Sequence, residues 1–216
     1  MKIAIFGATG MIGQGALRES LLASDVTSVL TIGRTPTGQQ HPKLREITHT
    51  DFGDLSPIAV DLADVDACFF CLGVSAVGMT EDQYRMITYD ITLTAARTLA
   101  AVNPGTTFLY ISGAGVGNSR LMWARVKSET ERALLDLPLQ AYMFRPALIL
   151  PMHGIAARDR LYRTFYKLLV PAAGVLQRAF PGGVTTTDKL GRAMLNTARR
   201  PGTERVLENQ AINQLA

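Results

Sequence analysis

Cysteine is nearly absent from this chain. Only Cys68 and Cys71 occur, together in the apolar stretch ACFFCL, and two thiols in such a run form neither a disulfide framework nor a metal-ligand set; buried, reduced filler is the expectation. Histidine is as sparse: His41, His49 and His153 lie far apart with no Cys or carboxylate partner at ligand spacing, so no metal site is expected. No uninterrupted apolar run reaches the roughly 18 residues that a spanning helix requires. No cationic start leads into an apolar targeting segment, which gives a cytoplasmic location as the expectation. A Walker phosphate loop is excluded because no Lys-Ser or Lys-Thr closes the glycine-rich turn near the start. GVSAVG at 73–78 has its serine and glycines in the wrong order for a nucleophile elbow. Repeats and low-complexity tracts are also missing.

What is present is ample apolar material. Of 216 residues 47% are hydrophobic, enough for one sizeable core, and the expectation is a single domain over 1–216 whose residues 147–216 form a small C-terminal lid or substrate part. The net charge of +4 is unevenly spread: residues 1–100 carry 7 Lys and Arg against 11 Asp and Glu, residues 101–216 carry 15 against 7. The basic half contains no zinc finger or RNA-binding strand pair, so no nucleic-acid partner is expected; the field suits a phosphate-bearing cofactor or an anionic substrate.

Periodicity gives alternating strands and helices. Strands are expected at Lys2–Phe6, Thr27–Ile32, Leu44–Thr50, Ala67–Leu72, Thr106–Ile111 and Gln140–Phe144, with a helix over Met11–Leu22. A short helix over Leu55–Leu62 has Pro57 in its first turn. A long one from Glu81 to Val102 carries the apolar stripe Tyr84, Ile87, Ile91, Ala95 and Leu99, and another covers 121–135. Residues 34–45 read as loop. This alternation predicts an α/β fold, a doubly wound parallel sheet of the dinucleotide-binding Rossmann type. After Pro146 the rhythm loosens: residues 155–169 read as an amphipathic basic helix, and VTTTDKLGRAMLNTAR as an extended piece, a cap and a final helix. Arg158, Arg160, Arg163 and Lys167 of the basic helix suit an anionic substrate, an acidic membrane surface or plain solvent.

Gly7, Gly10 and Gly13 form G-x-x-G-x-x-G between the first strand and helix. A diphosphate needs close backbone approach and gains from unpaired N–H groups at a helix start, so Gly7, Thr9, Gly10, Met11, Ile12 and Gly13 are the first candidate cofactor contacts. An NAD site usually has a carboxylate roughly 20 residues beyond the glycines. Here TIGRT has Arg34 and no acid, and an Arg fork suits a 2′-phosphate, which favours NADP(H) over NAD(H). Asp51 and Phe52 stand where the adenine would lie, unless Asp51 only caps a turn. Leu72, Gly73 and Val74 would pass beside the ribose.

These residues resemble the atypical short-chain dehydrogenase/reductase superfamily, in particular its short NAD(P)-binding, epimerase-like members. The likeness rests on GATGMIG at 7–13, GR at 33–34, DF at 51–52, CLG at 71–73, YISGAG at 110–115, Lys127, RP at 145–146 and VTTTDKLGRAM at 184–194. It implies that Ser112 is the family serine, that Lys127 holds the nicotinamide ribose, and that Arg145 and Pro146 shape the cofactor rim. One departure stands out. Where the family pair is Tyr, three residues, Lys, this chain has Trp123 before Lys127. The spacing keeps both on one helix face, but indole has an N–H donor and no acid–base function comparable to a phenol. Ser112 through water, Tyr84 or the substrate would then supply the proton; alternatively the acceptor is quinone-like and takes its proton from solvent. The contrasting reading is a non-catalytic NADP(H)-binding regulatory or scaffold protein. The implied partners are the dinucleotide and a small-molecule substrate, with the chain a monomer or homodimer.

Overall fold

Ile3, Ala4, Ile5 and Phe6 are each at most 1% exposed, and a strand without a polar face belongs inside a sheet that is covered on both sides. In the computed structural model, which describes residues 1–155, 180 and 182–216, these residues form β1 (Lys2–Phe6). Beyond it on one side lie β2 (Ser28–Gly33) and β3 (Leu44–Thr48). On the other lie β4 (Ala67–Phe70), β5 (Thr107–Ile111) and β6 (Gln140–Arg145). Two short strands, β7 (Leu148–Leu150) and β8 (Val184–Thr186), pair with each other, and β9 (Val206–Glu208) closes the large sheet beside β6. The seven-stranded order is β3-β2-β1-β4-β5-β6-β9, parallel at every pairing. The chain builds outward from β1 to β3 and then restarts at β4 in the opposite direction. The carboxyl ends of β1 and β4 therefore flank the crevice where open parallel sheets bind ligands.

Helices cover both faces. On one, α1 (Met11–Leu22), α5 (Thr187–Arg199) and α6 (Asn209–Gln214) bury Leu17, Leu190, Met194 and Ile212 against Ile3, Ile5, Phe69 and Leu109. On the other, α2 (Glu81–Arg85), α3 (Ile91–Val102) and α4 (Met122–Leu135) flank the core, in which Leu93, Leu99 and Leu134 meet Phe6, Phe70 and Phe108. Each such side chain contributes roughly 1.5–3 kcal/mol, so the two apolar layers hold the sheet. Between α1 and α5 the backbones touch: a Cβ added at Gly15 would stand 2.5 Å from the Thr187 carbonyl oxygen.

Several expectations need adjustment. Residues 56–62 form a 3₁₀ helix with Pro57 in its first turn. The helical run from Glu81 is continuous to Val102 but contains a π turn, Met86–Asp90. Its extra residue rotates the inward face, so Thr88 and Thr92 are buried where Ile87 and Ile91 were expected. The Thr92 hydroxyl is satisfied by donating to the Thr88 carbonyl at 2.7 Å. β7, β9 and α6 were not anticipated. The expected basic helix at 155–169 lies, apart from Ile155, outside the described residues. No helix among the described residues is long and apolar enough to cross a membrane.

Candidate functional site

β1 ends at Phe6 and α1 begins at Met11, so four residues must reverse the chain beside β4. Gly7 does this at φ +77°, and a Cβ there would lie 2.8 Å from the Leu72 backbone; glycine alone fits both demands. At Gly13 a Cβ would stand 2.2 Å from the Gly7 carbonyl oxygen, so the first turn of α1 rests directly on the loop. Gly10 differs: it is the N-cap in ordinary extended backbone, and its Cβ would meet only that same oxygen, at 3.3 Å. No side chain caps α1 and no acid occupies its first turn. The positive end of the helix dipole and its free amides, bordered by half-buried Thr9, Met11 and Ile12, are thus available to an anion.

Around this turn the expected contacts fall as follows. Arg34 is exposed just past β2 and makes no ion pair among the described residues. Beside it, a cavity of about 10 Å³ is lined by Ala8, Thr9, Gly33, Thr35, Thr37 and Glu46, among others. Asp51 lies three residues beyond β3, and its Oδ1 accepts from the Gly53 N–H at 2.9 Å, so it does cap a turn. Phe52 is 6% exposed and packs edge-on against Phe6 and His49. Leu72 backs Gly7, while Gly73 and Val74 are exposed beyond it.

The second group of candidates gathers where β5, β6 and α4 meet. The Ser112 N–H donates to the Phe144 carbonyl at 2.7 Å, but its buried Oγ has no hydrogen-bond partner. Such a group costs about 1–3 kcal/mol if left unsatisfied. Lys127 Nζ donates to the Ile111 carbonyl at 3.1 Å, the Ser112 carbonyl at 3.3 Å and the Tyr110 hydroxyl at 3.4 Å. Burial pushes this ammonium down to about 8, with Glu131 one turn along α4 acting in the opposite sense. Burial drives the Tyr110 phenol far upward and raises Tyr84 as well, the latter opposed by a hydrogen bond with Thr88, so both stay neutral at ordinary pH. Trp123 is half-buried against Gly113, where an added Cβ would lie 3.8 Å from its ring. Arg145 is committed: Nε and Nη2 reach Glu131 at 3.0 and 2.5 Å, and Nη1 reaches Glu208 at 2.9 Å. Next to it, the Pro146 carbonyl accepts from the Ala114 N–H at 3.0 Å and ties down the loop after Ser112.

Sequence reasoning missed Tyr110, Glu131 and Glu46. Glu131 had a readable signal, its i,i+4 spacing from Lys127; Tyr110 meets Lys127 only through the packing of α4 on β5, and Glu46 meets Thr31 only through sheet register. Cys68 is buried and Cys71 half-buried, and burial raises both thiols. The described residues contain no group of three or more His, Cys, Asp or Glu able to hold a metal.

No family model matches the chain. Among curated relatives, "Protein fmp52-2, mitochondrial" of Aspergillus oryzae is 32% identical over 156 residues, which is 68% of this chain and 66% of that protein. "Protein fmp52, mitochondrial" of Emericella nidulans is 28% identical over 206 residues, 90% of this chain and 86% of the relative. The chain therefore spans just under two thirds of the first relative and most of the second. Among solved structures, UDP-glucuronic acid 4-epimerase from Bacillus cereus in complex with NAD matches with a TM-score of 0.71 at 14% identity, covering 96% of this chain and 77% of that one. The chain has a Rossmann-type fold. A thiolation-reductase di-domain from an archaeal non-ribosomal peptide synthetase also matches this Rossmann sheet, with a TM-score of 0.71 at 13% identity over 96% of this chain and 70% of that one. The expected cytoplasmic location is corrected here: the fungal relatives carry mitochondrial names. Absence of a readable targeting segment was the sole basis for the expectation, and it is too weak to stand against them.

Proposed function

We propose that this Rossmann-type protein is an atypical short-chain dehydrogenase/reductase, binding NADP(H) in preference to NAD(H) and reducing a small carbonyl or quinone-like compound. The observation that carries the reading is the junction of β5 and α4. There a buried Ser112 hydroxyl lacks a partner and a Lys127 ammonium is depressed to about 8. Groups that cost stability in the empty fold are expected where a ligand satisfies them.

The residues present fit a dinucleotide. At Gly7 and Gly13 the glycine turn has room only for backbone, and no side chain caps the helix behind it. In this reading Gly7 to Gly13 hold the diphosphate and Arg34 the 2′-phosphate. Asp51 and Phe52 border the adenine, Leu72 to Val74 run beside the ribose, and Lys127 serves the nicotinamide ribose. Arg145 and Pro146 shape the rim from behind, since the Arg145 cation is already spent on Glu131 and Glu208. When bound, the cofactor supplies a hydride. Ser112 then donates to the substrate oxygen, and Lys127 places positive charge beside it. Trp123 supplies no proton. Tyr84 is engaged in a hydrogen bond with Thr88 whereas the Ser112 Oγ has no partner, which favours Ser112 with water, or solvent protonation of a quinone-like acceptor.

Trp123 supports a second reading, an NADP(H)-binding regulatory or scaffold protein. The two separate in one assay: oxidation of NADPH by purified protein against a panel of aldehydes, ketones and quinones. Turnover by the natural chain is expected and removes the second reading. Silence in the natural chain, with activity appearing in Trp123→Tyr, would establish binding without chemistry and overturn the first.

A further inference from the structure

The choice between NADP(H) and NAD(H) rested on finding Arg34, and no acid, at the end of β2. The sheet brings an acid there from elsewhere. β3 pairs with β2 in a register that sets Glu46 opposite Thr31, two residues before Gly33. Glu46 Oε2 accepts from the Thr31 hydroxyl at 3.1 Å and from the Thr37 N–H at 2.8 Å, and the carboxylate forms no ion pair among the described residues. It lines the cavity shared with Thr9 of the glycine turn and with Gly33 and Thr35, the two neighbours of Arg34. That space, about 10 Å³, holds about one water. One side chain therefore does two things. It pins the segment after β2, in which Arg34 lies, and it brings a carboxylate to the wall of the cavity that Gly33 and Thr35 also line.

We propose, building on the dinucleotide reading above, that Glu46 is a specificity-determining residue. Its carboxylate opposes the attraction of Arg34 for a 2′-phosphate, so that the protein accepts both dinucleotides with only a modest preference between them. A charge held against the cavity wall acts through space on a phosphate at the β2 end; a hydroxyl at the same place carries no charge to repel. Arg34 is exposed and well hydrated, which limits what it gains alone.

Calorimetry with 2′,5′-ADP and 5′-ADP isolates this end of the cofactor, and NADPH and NADH provide the full-length pair. Glu46→Gln keeps an acceptor for the Thr37 N–H and Thr31 hydroxyl while removing the charge. It is expected to tighten 2′,5′-ADP about three- to tenfold and to leave 5′-ADP within about twofold, and the gain is expected to shrink in 0.5 M salt as charges are screened. Arg34→Ala is expected to move the ratio the other way. An unchanged ratio in Glu46→Gln, with all four nucleotides still binding, overturns the role of Glu46 alone. A gain of the same size for both ADP forms, insensitive to salt, also overturns it, since a loop rearrangement would produce that result. Failure of the natural chain to bind any of the four overturns the dinucleotide reading itself.

Discussion

Two glycines of the same turn should separate folding from binding when each is replaced by alanine. At Gly13 the new Cβ would lie 2.2 Å from the Gly7 carbonyl oxygen and 2.8 Å from the Ala8 Cα. Both neighbours are backbone, so neither can swing aside. Relief requires α1 to lift by the better part of an ångström from a loop that Gly7 fixes against Leu72. Overpacking of this kind costs about 3 kcal/mol, and alanine returns up to about 1 kcal/mol as the better helix former. The net loss of about 2 kcal/mol lowers Tm by about 4–8 °C for a domain of this size. At Gly10 the Cβ meets one oxygen at 3.3 Å in backbone that any residue adopts, so Gly10→Ala should leave Tm within about 2 °C. It nevertheless stands at the cap of α1, where a diphosphate would approach, and affinity for NADPH is expected to fall at least tenfold. Thermal denaturation and nicotinamide fluorescence titration on both variants decide the matter. Full affinity in Gly10→Ala, or an unchanged Tm in Gly13→Ala, would refute the assignment of binding to one glycine and packing to the other.

Other perturbations test the rest of the site. Ser112→Ala removes a buried hydroxyl with no partner, so stability should hold or rise by about 1 kcal/mol while kcat falls; a marked loss in chemical denaturation would mean the hydroxyl is structural. Lys127 has a folded pKa of about 8, below the usual lysine value. The folded state thus binds fewer protons than the unfolded state between about pH 8 and pH 10.5, and stability should rise with pH across that window. Denaturant titrations at pH 7.5 and pH 10 should show this rise in the natural chain relative to Lys127→Met, and equal slopes would refute the depressed ammonium. Arg145→Met strands the nearly buried Glu131 and should cost about 3 kcal/mol. Adding Glu131→Gln should recover part of that in a double-mutant cycle, whereas strictly additive losses would deny the pairing.

Most of the sheet was legible because strands such as β1 and β4 are apolar on both faces and most helices between the strands have an amphipathic stripe or a cap. Thr186, for instance, accepts from the Lys189 N–H as the Thr-Asp signature implies. β7 and β9, at three residues each, carry too little pattern to be read in isolation. The π turn was hidden for a different reason: Met86–Asp90 holds no glycine or proline to mark a break, and only the burial of Thr88 and Thr92 in place of Ile87 and Ile91 reveals the inserted residue. Within the site, glycine spacing located the turn because its constraint is local. Glu46 escaped notice because it is twelve residues from Arg34 along the chain and is set opposite Thr31 only through the parallel pairing of β2 with β3.

The contact of Gly15 with Thr187 changes what the last part of the chain is for. With no side chain on Gly15 to hold the two helices apart, α5 acts as a buttress for the helix whose start would face the proposed dinucleotide. A truncation ahead of β8 would strip that support from α1, so the carboxyl end has a bracing part to play in nucleotide affinity under the proposed reading.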